Sequence, residues 1–117
     1  MTKTILYLLR SDFVDTQIGD TPFYCPQCLI VEGLLAVFPH VRQSLNVRYV
    51  DFDRPRGGME KYVSDNQSCP QLVFPAGDDD CSIGISRPGI SVVRRIEVVE
   101  DILAYLIKRF ELPRPHP

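Results

Sequence analysis

The chain has 117 residues, of which 44% are hydrophobic and 24% charged, and its formal net charge is −2 at pH 7. This length suits one globular domain with its own core and disfavours a second domain. No stretch approaches the roughly eighteen apolar residues of a membrane span, and a slightly acidic chain without a basic stripe is not expected to bind nucleic acid. We expect a soluble, cytoplasmic protein with neither kind of partner.

Apolar runs separated by turn residues predict strands alternating with helices. The expected strands lie at residues 4–9, 47–52, 71–74 and within 90–96. The expected helices cover residues 26–38, where Pro39 ends the helix, a short stretch at 59–65, and 98–110. Alternation of this kind implies a βαβ unit, and a hairpin before the last helix adds an antiparallel edge. The predicted class is α/β, with one domain over residues 1–112 and a short flexible tail over 113–117.

The sequence Cys25-Pro26-Gln27-Cys28 stands where a long loop over residues 10–24 gives way to the first helix. Side chains three apart on a helix are about 5–6 Å apart at Cβ, so a small adjustment would let the two sulfurs bond reversibly. First-turn N–H groups and the helix dipole stabilise an anion, which favours Cys25 as the thiolate. The motif predicts dithiol–disulfide exchange, in which Cys25 attacks a disulfide and Cys28 displaces the reduced partner. The alternative is a pair of inert, buried thiols.

Cys69 and Cys81 bring the cysteine count to four. In a reducing compartment, free cysteines are more often redox-active or metal-binding than parts of a disulfide framework. Cys69 either joins the Cys25 pocket as a third thiol or is an ordinary small buried side chain. We expect no metal. The alternative is a zinc ion held by Cys25, Cys28, Cys69 and Cys81, although the last two lack the spacing of a second Cys-X-X-Cys knuckle.

Two arginines flank Pro55 in a turn-rich segment. Arg54 and Arg56 are candidates for binding an anionic substrate or a glutathione carboxylate, and solvated loop charges are the alternative interpretation. The acidic run at residues 78–80 lacks the glycine and distal glutamate of a calcium loop, so it predicts an acidic surface turn.

A Cys-X-X-Cys motif opening the first helix, the dipeptide Cys69-Pro70 just before the third strand, a hairpin and a closing helix together resemble the thioredoxin-like superfamily. The resemblance covers nearly the whole chain and implies a central mixed four-stranded sheet flanked by helices. It also implies that Cys25 is the nucleophile, that Cys28 resolves the mixed disulfide, and that Pro70 is a cis proline beside them. The substrate groove would then be lined by Tyr24, Pro26, Cys69 and Pro70.

Two narrower resemblances refine this expectation. One stretch looks like the opening of the last helix in glutaredoxins and in the N-terminal domain of glutathione transferases: Glu100-Asp101-Ile102-Leu103-Ala104-Tyr105-Leu106. A second combination resembles a small bacterial thioredoxin-like family of no assigned function: Tyr24-Cys25-Pro26-Gln27-Cys28, Glu32-Gly33-Leu34-Leu35-Ala36 and Arg54-Pro55-Arg56.

The leading expectation is a thiol–disulfide oxidoreductase without a resident cofactor, acting on a protein or low-molecular-weight disulfide. Two alternatives stay open. One is a non-catalytic module of the same fold that binds a metal or a protein partner through Cys25, Cys28 and Cys69. The other is a glutathione-dependent protein.

Overall fold

The computed structural model of the protein describes residues 3–117. Its strands are β1 (Ile5–Leu9), β2 (Asn46–Val50), β3 (Gln71–Phe74), β4 (Arg87–Pro88) and β5 (Arg94–Ile96). Its α-helices are α1 (Pro26–Val37), α2 (Pro39–Ser44) and α3 (Val99–Phe110), and a single 3₁₀ turn lies at Met59–Lys61. Within the described residues, no helix has both the length and the apolar character to cross a membrane.

The five strands form one mixed sheet in the order β2-β1-β3-β5-β4. β1 runs parallel to β2, and a parallel pair needs a crossover connection, which α1 and α2 provide. β3 is antiparallel both to β1 and to β5, and β4 pairs antiparallel with β5 at the sheet edge. The predicted α/β class, with a parallel unit followed by an antiparallel edge, is therefore confirmed.

The two central strands are buried along their whole length. Every residue of β1 and of β3 is buried, as expected for continuous apolar runs that are covered on both faces. From α3, the side chains of Ile102, Tyr105 and Leu106 are completely buried, at the three- and four-residue spacing of one helix face. The core therefore surrounds β1, and the carboxyl end of β1 leads into the loop that carries the cysteine motif.

The prediction of four strands is wrong by one strand, and one helix is also missing from it. β4 has only two residues, one of which is Pro88, so no alternation of apolar side chains marks it; a proline is tolerated there because the strand is at an edge. Pro39 does end α1, but it also begins α2, because a proline at the first helical position loses no hydrogen bond. The helix expected at 59–65 is reduced to the 3₁₀ turn at Met59–Lys61.

The turn after Pro55 contains a close backbone approach. Gly57 has a φ of +49°, and a Cβ there would lie 2.4 Å from Cγ1 of Val50, a buried side chain. A valine methyl group cannot easily move aside, because branching at Cβ restricts its rotamers. Gly58 also has a positive φ, of +84°, but a Cβ there would meet open space. Gly57 is therefore required both by its backbone conformation and by the lack of room for a side chain. Gly58 is required by its backbone conformation alone.

We expect Gly57→Ala to lower the free energy of unfolding by about 2–4 kcal/mol, since it combines backbone strain with a clash in the core. Gly58→Ala is the matched control, and it should cost about 1 kcal/mol from strain alone. Urea unfolding followed by far-ultraviolet circular dichroism measures both. Equal losses in the two variants would contradict the close approach of Gly57 to Val50.

Candidate functional site

Cys25 caps the amino end of α1. Its backbone is extended, with φ −83° and ψ 115°, and its Sγ accepts a hydrogen bond from the backbone N–H of Cys28 at 3.2 Å. A helix leaves its first N–H groups without intrahelical partners, and an acceptor on the capping side chain satisfies one of them. Pro26 occupies the first helical position, where its fixed φ suits the turn. The prediction that the helix begins at the motif is confirmed.

The two thiols of the motif differ in exposure. Cys28 is buried, with 4% of its surface exposed, whereas Cys25 is only partly buried, and both are free thiols. Burial, with a smaller contribution from the neighbouring Cys25, raises the pKa of the Cys28 thiol far above its ordinary value. Cys28 is therefore a protonated thiol at neutral pH, and Cys25 is the more exposed residue of the two.

The third strand brings a third thiol to the site. The Cys25 thiol donates to the backbone carbonyl of Cys69 over 3.6 Å, and the Cys69–Pro70 peptide bond is cis. Burial raises the pKa of Cys69 to about 11, while the positive charge of Arg56 opposes that rise. The structure thus gathers Cys25, Cys28 and Cys69 at the junction of α1 and β3.

A buried guanidinium lies against this thiol cluster. Only 4% of the surface of Arg56 is exposed, and its Nε and Nη1 donate to the backbone carbonyls of Phe52, at 2.8 Å, and Gln67, at 3.0 Å. The side chain of Gln67 accepts from the backbone N–H of Arg56 at 2.8 Å. Across residues 3–117, Arg56 makes no ion pair with a carboxylate. Its charge faces the Cys69 thiol instead.

Aromatic side chains connect the loop over residues 10–24 to this arginine. The guanidinium of Arg56 lies 5.2 Å from the ring centroid of Phe52, and the Phe13 ring stacks on Phe52 at 4.7 Å. Phe13 and Phe23 exchange two backbone hydrogen bonds, of 3.0 and 2.7 Å. Phe13 is therefore anchored on Phe52, and its bonds to Phe23 tie the start of the loop to a position two residues before Cys25.

Comparison with known proteins places the chain in a family. Residues 3–114 match the model of a family described as "Protein of unknown function (DUF3088)". The chain belongs to this family. No curated protein and no solved structure matches it. The thiol cluster and the buried arginine lie within the matched span, so the site of this DUF3088 protein is part of the family region.

The structure separates some of the residues that the sequence groups together. In this DUF3088 protein Arg54 is exposed while Arg56 is buried, so the two do not share one environment. Cys81 lines a different cavity, beside the acidic run at residues 78–80 and Arg109. Among the described residues, no three His, Cys, Asp or Glu side chains are arranged to hold a metal ion. The four-cysteine zinc set is therefore not assembled.

Sequence reasoning misses the residues that hold the arginine in place. Gln67 is 92% buried in an irregular segment, where no periodic pattern marks a buried position. Phe52 lies just beyond the end of β2, and its contact with Phe13 joins positions 39 residues apart in the chain. No local signal in the sequence identifies either contact. Tyr24, which precedes Cys25 in the chain, is exposed.

We expect the positive charge of Arg56 to control the reactivity of Cys69. Replacing Cys25, Cys28 and Cys81 by Ser leaves Cys69 as the sole thiol. Iodoacetamide reacts with the thiolate, so below a pKa of about 11 the alkylation rate rises with pH. Adding Arg56→Met raises that pKa further, and the rate at pH 8 to 9.5 should fall by about tenfold, the effect of one pKa unit. Intact-mass spectrometry over time measures the rate.

The matched control for this experiment is Arg54→Met, which removes an exposed charge that solvent screens. We expect it to change the Cys69 alkylation rate by about twofold or less. Arg56→Lys keeps the charge and should retain most of the rate. Circular dichroism verifies that each variant is folded. Equal effects of Arg54→Met and Arg56→Met would contradict a specific role of the buried guanidinium.

Proposed function

We propose that this protein is a thioredoxin-like thiol–disulfide oxidoreductase. The observation that carries the proposal is the position of the two sulfurs in the first turn of α1. Cys25 is partly exposed and caps the helix, and Cys28 is buried one turn further along with its N–H bonded to the Cys25 sulfur. One sulfur is accessible to a substrate disulfide and the second lies behind it, as dithiol exchange requires.

The order of the elements supports the thioredoxin-like part of the proposal. Four neighbouring strands, β2-β1-β3-β5, form a mixed sheet of the kind that the resemblance implies, and β4 extends it at the edge. The cysteine motif begins the helix that follows β1, and Cys69 and Pro70 come directly before β3. The hydrogen bond from the Cys25 thiol to the carbonyl of Cys69 supports a groove at this junction.

The reaction begins with attack by the Cys25 thiolate on one sulfur of a disulfide R–S–S–R′. A Cys25–S–S–R bond forms, the substrate S–S bond breaks, and R′S⁻ leaves and takes up a proton. The backbone N–H of Cys28 donates a hydrogen bond to the Cys25 sulfur, which holds that sulfur in position for the attack. Tyr24, exposed next to Cys25, offers its ring to the bound substrate.

The second step closes the disulfide within the protein. Cys28 gives up its proton to solvent and attacks the Cys25 sulfur, so the Cys25–Cys28 bond forms and RS⁻ leaves. The substrate has gained two electrons and the protein has lost two. Because the pKa of the buried Cys28 is raised, this step depends on the proximity of the mixed disulfide rather than on a standing thiolate.

A redox titration tests the proposal. The protein is equilibrated in dithiothreitol buffers of graded potential, quenched with an alkylating reagent, and mapped by peptide mass spectrometry. We expect one two-electron transition that interconverts the Cys25–Cys28 dithiol and its disulfide. In a turnover assay, dithiothreitol-driven reduction of insulin disulfides should be lost in Cys25→Ser.

Cys81→Ser is the control for that titration, because Cys81 lines a separate cavity. The midpoint potential of the Cys81→Ser variant should equal that of the protein without the substitution. If no Cys25–Cys28 disulfide forms in even the most oxidising buffer, the proposal is wrong.

A further inference from the structure

Cys69 is a thiol of the site that the two-cysteine reaction leaves without a role. The Cys25 sulfur lies 3.6 Å from the carbonyl oxygen of Cys69, and bond lengths then place the Cα of Cys69 within about 6 Å of that sulfur. A disulfide requires the two sulfurs to approach to about 2.05 Å. Both side chains must rotate towards each other from this arrangement for that bond to form.

The buried charge of Arg56 gives Cys69 a specific chemical environment. An arginine does not lose its proton in a protein, so its positive charge stays in the interior, where backbone carbonyls accept its hydrogen bonds. Among residues 3–117 no carboxylate pairs with it. Besides Arg54, the ionisable groups that act on the guanidinium are the thiols of Cys69 and Cys28. A thiolate formed at Cys69 is stabilised by this positive charge.

We propose that Cys69 is a second resolving thiol, activated by Arg56, that competes with Cys28 for the mixed disulfide on Cys25. This inference rests on the proposed function. In the step, Cys69 gives its proton to solvent and its thiolate attacks the Cys25 sulfur of Cys25–S–S–R. The Cys25–Cys69 bond forms and RS⁻ leaves. As in resolution by Cys28, the substrate gains two electrons and the protein loses two.

The two resolving thiols have different advantages. Cys28 lies one turn along α1 from Cys25, so it is the nearer by sequence, but burial raises its pKa far above the ordinary value of a thiol. Cys69, with a pKa of about 11, has the arginine beside it and reaches the thiolate state more readily. A substrate held on Cys25 can therefore leave by either route, and the oxidised site has two disulfide forms.

The test uses 5,5′-dithiobis(2-nitrobenzoate), a disulfide whose coloured thiolate is counted as it is released. All variants carry Cys81→Ser, and the reagent is added at one equivalent per protein. In Cys28→Ser, attack by Cys25 releases one thiolate quickly. We expect Cys69 to release the second more slowly, for two per protein, leaving no adduct by intact mass and a Cys25–Cys69 disulfide by peptide mapping.

The matched control is Cys28→Ser with Cys69→Ser. It should release one thiolate and keep a stable adduct on Cys25. Adding Arg56→Met to Cys28→Ser should slow the second release by about tenfold, as expected for one pKa unit on the attacking thiol. Cys28→Ala is run beside Cys28→Ser, so that a folding defect from a buried hydroxyl does not decide the result.

The outcomes separate the two proposals. If both Cys28 variants stop at one thiolate per protein, as the double variant does, Cys69 is not a resolving thiol. The proposed function then still stands, provided that the protein with Cys81→Ser alone forms the Cys25–Cys28 disulfide in the redox titration. If that protein forms no such disulfide, the proposed function is wrong, whichever count the Cys28 variants give.

Discussion

The first turn of α1 has N–H groups that no helical carbonyl can satisfy, and the sulfur of Cys25 takes one of them. This contact connects structure to chemistry, because the group that begins the helix is also the group that would attack a substrate. The strand β3, which pairs with β1, brings Cys69 up to this turn.

Arg56 imposes a second constraint on the same region. A guanidinium excluded from solvent needs hydrogen-bond acceptors in fixed positions, and the backbone carbonyls of Phe52 and Gln67 provide them. These bonds hold together two irregular segments that have no strand or helix to align them. The stacked rings of Phe13 and Phe52 extend the arrangement to the loop before Cys25. Loops with little regular structure are thereby ordered around the thiols.

The sequence predicts much of the fold, because local residue patterns mark its main helices and strands. The continuous apolar run of β1 and the proline at the start of α1 each predict their element from neighbouring residues alone. β4 is not predicted, because this edge strand has only two residues, both exposed. Such a strand is defined by its pairing with the neighbouring strand, and it has no residue pattern of its own. At the site, the cysteine pair is visible as a motif, whereas the buried environment of Arg56 arises from contacts with distant segments that no local pattern encodes.

The central claim is that Cys25, at the start of α1, is the reactive sulfur of the site. The most direct measurement is labelling with 0.2 equivalents of N-ethylmaleimide at pH 7, about one label per five proteins so that the fastest thiol dominates, followed by peptide mapping of all four cysteines. We expect Cys25 to carry at least about tenfold more label than Cys28, Cys69 or Cys81. Labelling spread evenly over the cysteines, or concentrated on Cys81, would contradict it.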